Sequence, residues 1–326
     1  MIGITEVLLA GVLPCLVGFS MRWLLLKGNW ERCSWPWAVA IGCVLAYVAL
    51  GARGSGSEGP ALLGWLNSLV ASAEQLLNPA VAKDWLPMAA VVAAAVTSLP
   101  IGRWAVLVVF PLAVVLPTRL LWGSVYFVSE WTQREAIVSV AMLGAGLAAI
   151  ASAWLLSERG KKVGDVETKS EDKPLVEWTR AGLVCVATLA VALGMMLSGT
   201  QAYGELSGAA MAACLGALLA GLCGKNGPSA PRGVGMAGPV VAAWTGGLLV
   251  LGCFYAELKP VNACLLGFGL FVAGARTPIA NGAVAQAAVH ALVCLVPIGL
   301  ALSFAGLEFA EAMRQQAADP YLNWKP

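Results

Sequence analysis

About 20 consecutive apolar residues are what an α-helix needs to cross roughly 30 Å of hydrocarbon, and this chain repeats that pattern again and again. Ten apolar runs lie near residues 4–26, 35–50, 86–99, 104–117, 136–156, 181–197, 206–222, 236–255, 261–275 and 280–304. Inside lipid every backbone amide needs an internal partner, so runs of this length are read as helices. The alternation of barrel strands does not occur. The third, fourth and ninth runs are short, and the expectation is an all-α, polytopic transmembrane helix bundle of about ten helices, eight to ten in number. Composition agrees, with 59% apolar and only 12% charged residues. The first run follows no basic leader and precedes no small-residue cleavage pattern, so it is expected to stay as a helix.

The segment 158–180 divides the runs into five and five, giving a first half over 1–157, a second half over 181–308 and a polar tail over 309–326. An odd count in each half implies halves of opposite orientation, the geometry of inverted-repeat transporters. The dividing stretch carries Arg159, Lys161, Lys162, Lys169, Lys173 and Arg180, and the bias of basic residues toward the cytoplasm places this linker there. The same side then receives Arg22, Lys27, Arg32, Arg103, Lys225, Arg232 and Arg276, and both termini fall on the opposite side of a plasma or inner membrane. Arg22 is expected to snorkel to the headgroups. An amphipathic stretch near 60–82 and a second over 117–135 are expected to lie in the interface as caps. Most tryptophans, Trp35 and Trp154 among them, stand near run ends and read as interfacial belts. Trp244 is mid-run beside Gly246 and Gly247, and reads as a knob against a close backbone.

Small residues recur every fourth position at Gly204, Gly208, Ala212, Gly216, Ala220 and Gly224, a smooth stripe against which another helix can press closely. The nine cysteines are scattered without metal-ligand spacing, and hydrolase, haem and phosphate-loop motifs are missing. Neither a cofactor nor a metal is expected, and an enzyme would lack its reacting groups. A net charge of +2 gives nucleic acid no basic surface to bind.

His290 is the only histidine and lies deep in the last run, with Gln286 and Cys294 one turn before and after it on the same helical face. A polar group at that depth is read as part of a pathway or as an interhelical bond. Glu205 and Glu257, flanked by Tyr203, Tyr255 and Lys259, are candidates for a polar mouth at the far end, and Glu6 opens the first run. The breaks around Pro100, Pro111 and Pro117, and around Arg276, Thr277 and Pro278, are where a site is sought. Two functions fit these features. One is a secondary transporter or permease for a small solute, with Gln286, His290, Glu205 and Glu257 along its polar pathway. The other is a non-catalytic membrane subunit, assembly factor or scaffold that packs through the small-residue stripe. The partners expected are the bilayer and either a second copy or another membrane subunit.

Overall fold

The computed structural model of the chain describes residues 7–28, 30–53, 67, 70–75, 78–99, 104–159, 173–223, 233–275 and 282–318. Expectations on Glu6, Pro100, Arg103, Gly224, Lys225, Arg232 and 276–278, on most of 60–82, and on 160–172 and 319–326 lie outside the described residues. The described part is an all-α bundle without strands, and its ten main helices fall on the ten apolar runs. They are α1 (Leu8–Lys27), α2 (Glu31–Arg53), α3 (Trp85–Ser98), α4 (Trp104–Leu121), α5 (Gln133–Arg159), α6 (Lys173–Leu197), α7 (Gln201–Leu222), α8 (Val234–Tyr255), α9 (Pro260–Gly274) and α10 (Ala283–Ala318). Seven of them, all but α3, α4 and α9, are long and apolar enough to cross a membrane, which suits an integral membrane protein in contact with lipid.

Local chemistry sets several of the helix ends. Pro260 begins α9, where its fixed φ suits the first turn and its missing N–H costs nothing. Thr132 and Glu135 close a capping box at the start of α5, with the Thr132 amide donating to Glu135 at 2.8 Å and the Glu135 amide to Thr132 Oγ1 at 3.3 Å. The stretch before it folds into a π turn, Tyr126–Glu130, and Tyr126 together with Trp131 just after the turn packs edge-on with Phe254 of α8. Residues 70–75 are helical and exposed except for Ser72.

The bundle is organised around α8, which is buried along nearly its whole length up to Gly252. It touches α2, α3, α4, α5, α6, α7 and α9. Its glycines let these neighbours approach: the Leu147, Leu86 and Met195 side chains occupy the places where Cβ atoms of Gly246, Gly247 and Gly252 would stand. Trp244 is fully buried in a π turn of α8, and its indole N–H donates to the Leu206 carbonyl of α7 at 2.9 Å. The surface of the bundle toward lipid is formed by helices such as α1, α5 and α10, which show exposed Leu16, Leu24, Met142, Leu292, Val296 and Leu307. Sequence-adjacent pairs recur in the two halves, α1 with α2 and α6 with α7, then α4 with α5 and α9 with α10. The other large contacts of these helices differ, since α1 lies against α7 of the other half while α6 lies against α9 and α10 of its own.

The small-residue stripe of α7 meets helices of the same chain. A Cβ on Gly216 would overlap the Cys15 carbonyl of α1 and stand 2.9 Å from the Phe19 amide nitrogen, and one on Gly204 would run into Met196 of α6. Ala212 and Ala220 are buried. Gly208 differs, because nothing lies within 4 Å of the place its Cβ would take. The complement on α1 is Gly18, where a Cβ would stand 2.5 Å from the Ala213 carbonyl oxygen.

Candidate functional site

At 15 residues α9 spans about 22 Å, too short to cross the hydrocarbon, and besides the Ala275 amide, which reaches Phe271 O and Val272 O, its C-terminal carbonyls take donors from the side chains of neighbouring helices. Trp154 Nε1 of α5 donates to Leu270 O at 2.9 Å, and His290 Nε2 of α10 donates to Val272 O at 2.8 Å. Arg180 Nε of α6 donates to Gly274 O at 2.7 Å, an oxygen that also accepts from Ser157 Oγ of α5 at 3.1 Å. One turn earlier Cys294 Sγ reaches Gly269 O at 3.5 Å. Gly274 has to be glycine, because any Cβ there would fall inside the Trp154 indole.

Arg180 is the hub of this arrangement and is fully buried. Its Nη1 lies 2.7 Å from Glu158 Oε1 and 3.7 Å from Glu177 Oε2, and its Nη2 donates to Ser157 Oγ. Glu158 Oε1 also accepts the Gly235 amide at 3.1 Å, at the first turn of α8, which follows Gly233 at φ 82°. Opposite helix ends therefore meet opposite charges: the amide end of α8 faces a carboxylate, and the carbonyl end of α9 faces a guanidinium. The Arg180 bonds join α5, α6 and α9, and Glu158 extends the set to α8.

The residues singled out from sequence take these positions. His290 is buried and points inward; its carbonyl acceptor requires the proton on Nε2. Cys294 shares the face toward α9, and Gln286 is half-buried one turn nearer the linker end, the end at which α5 and α6 are joined. At the far end Glu205 accepts from Gln201 at 2.6 Å, Lys259 pairs with Glu308 at 3.0 Å, and Glu257 is exposed with a positive φ of 54°. Tyr255 donates to the Leu120 carbonyl at 3.1 Å.

Sequence reasoning missed the hub, counting Glu158, Glu177 and Arg180 with the solvated linker although they lie in α5 and α6. The available signal was Glu177 and Arg180 at i, i+3, directly before the apolar run that starts at Ala181. Arg22 does not snorkel: it is 2% exposed, packed on Trp35, and donates from Nη1 to the Ala217 carbonyl of α7. Trp35 and Trp154 are fully buried, so nearness to a run end did not distinguish a ring facing lipid from one facing the core. A further buried pair lies at the far end, where Tyr47 of α2 donates to Asp84 Oδ1 at 2.5 Å and Oδ2 accepts the Val81 amide at 3.0 Å, just ahead of α3.

Among the described residues no group of three His, Cys, Asp or Glu side chains is placed to hold a metal. A cavity of about 10 Å³ lies between α4, α5 and α8, lined by Val109, Leu116, Leu147 and Pro239 among others. It is apolar and reaches none of His290, Gln286, Glu205 or Glu257. The chain is thus an all-α helical bundle with the helices of an integral membrane protein and a buried ionic hub at one end. No protein-family model matches it, and no curated protein or solved structure does either.

Proposed function

We propose that the chain is a secondary transporter or permease for a small solute, seen with its linker end closed. One observation carries this reading: a fully buried arginine joins several helices through contacts at or near helix ends, with Glu158, Ser157 and the Gly274 carbonyl. Such contacts can break and re-form while each helix keeps its own hydrogen bonds, which is what a gate between rigid helices requires. Ionisable groups at membrane depth otherwise carry a desolvation cost with no return in function. His290 and Gln286 form the next polar layer behind the hub, with Glu205 and Glu257 toward the other mouth. The halves 1–157 and 181–308 are the moving bodies, and the linker 158–180 faces the cytoplasm of a plasma or inner membrane. The stripe on which a scaffold reading rests has its closest contacts within the chain, at Gly204 and Gly216.

The test is reconstitution of the purified chain in liposomes on a solid-supported membrane, with concentration jumps of small organic anions, cations and zwitterions. Currents above those of protein-free liposomes for one solute class are expected. Silence for every class, together with a stoichiometric companion polypeptide on purification from native membranes, overturns the reading in favour of a subunit.

A further inference from the structure

Arg22 and Trp35 meet at the linker ends of α1, α2 and α7, and together they are short of acceptors. The guanidinium carbon lies 4.6 Å over the Trp35 ring, and one of its nitrogens is bonded to the Ala217 carbonyl. Arg22 Nε has no acceptor, and neither does the indole N–H of Trp35, although both atoms are buried. Among the described residues Arg22 makes no direct ion-pair contact, and the carboxylate whose field it feels from a greater distance is that of Glu31 in the first turn of α2. A buried cation beside a second unfilled donor is costly, which marks the place of a missing anion. Gly221 of α7 makes room for the guanidinium in this buried place, since a Cβ there would come within 3.0 Å of Nη1. The depth is set by the neighbours. Trp23 is partly exposed with the Lys27 ammonium 3.3 Å over its ring, and Trp30 is exposed, a combination that belongs at the headgroup level. The abundant anion at that level is the lipid phosphate, whose oxygens suit an arginine fork and an indole donor.

We propose that Arg22 and Trp35 hold the phosphate of an anionic phospholipid headgroup, seated at the linker ends of α1, α2 and α7. This seat is separate from the Arg180 hub and does not depend on transport. The full chain, delipidated in detergent, is titrated with phosphatidylglycerol, with phosphatidylcholine and with inorganic phosphate, while native mass spectrometry counts retained lipid and thermal unfolding reports stabilisation. Phosphatidylglycerol is expected to be retained and to raise the unfolding temperature, and phosphatidylcholine to do neither. Trp35→Phe keeps the ring under the guanidinium and removes one donor, so it should weaken retention about tenfold, as expected for one hydrogen bond to a charged group. Arg22→Gln should abolish retention. Equal retention by the wild type and Trp35→Phe, when both unfold at the same temperature without lipid, overturns the proposal. So does stabilisation by inorganic phosphate equal to that by phosphatidylglycerol, which would make the anion a soluble one, or no response to any of the three, which would leave only bound water.

Discussion

Replacing Arg180 by methionine should destabilise the bundle by roughly 3 to 5 kcal/mol, because it leaves a buried carboxylate without its counter-charge. The structure supports this magnitude. Methionine fills most of the arginine stem but provides no donor for Glu158 Oε1, Ser157 Oγ or Gly274 O, which accept from Arg180 now. Glu158 would keep the Gly235 amide at 3.1 Å but lose the guanidinium at 2.7 Å. Hydrogen bonds to charged groups contribute about 1.5 to 3 kcal/mol each, and the desolvation avoided by removing the guanidinium offsets part of their loss. Most of the penalty should therefore be the stranded Glu158 charge, and Arg180→Met combined with Glu158→Gln should regain a large part of it. Arg180→Lys should fall between, since an ammonium keeps the charge without the fork that spans the Nε and Nη partners. Reversible denaturant unfolding in mixed micelles measures all four proteins. A loss under about 1 kcal/mol for Arg180→Met, or no recovery in the double variant, would refute the reasoning.

Three further outcomes follow from the same geometry. His290→Leu should lose about 0.6 to 2 kcal/mol through the bond to Val272 O, while His290→Gln, which can still donate, should be close to neutral in stability; any solute current whose pH profile survives His290→Gln removes the imidazole from the mechanism. Within the α7 stripe, Gly216→Ala should force α1 away and cost about 1 to 3 kcal/mol, whereas Gly208→Ala should change unfolding by less than about 0.5 kcal/mol, and equal effects at the two sites would contradict the packing described. A cysteine placed at Ser170 should resist a membrane-impermeant reagent in intact cells, and ready labelling there would reverse the proposed orientation.

The helices were legible because an apolar run of this length has one structural solution in lipid, and all ten runs are helices. Their ends were less so. Residues 158–159 and 173–180 were read as linker because charge counting treats Glu158 and Arg180 as solvated, yet they fall within α5 and α6, and these two residues neutralise each other beside two helix ends. A sequence shows that Glu177 and Arg180 share a helix face; it does not show that the Gly274 carbonyl comes to meet that face from 94 residues away. His290 was legible as inward-pointing from its depth alone. Its acceptor was not, because a backbone carbonyl carries no sequence signature. Arg22 was misread for a related reason: snorkelling is the default for an arginine one turn from a helix end, and what overrides it is Gly221 on α7 making room for the guanidinium.

The claim that the Arg180 hub is a gate and not a permanent staple can be tested without knowing the solute, by measuring the reactivity of Ser157→Cys in lipid vesicles with a small thiol reagent. Peptide mapping by mass spectrometry reads it against two native references, the exposed Cys223 and the buried Cys43. Opening of the linker end predicts that residue 157 labels progressively, at a rate between those of the two references. Labelling as slow as that of Cys43 over the same period would contradict the account, leaving the hub as a fixed part of the fold.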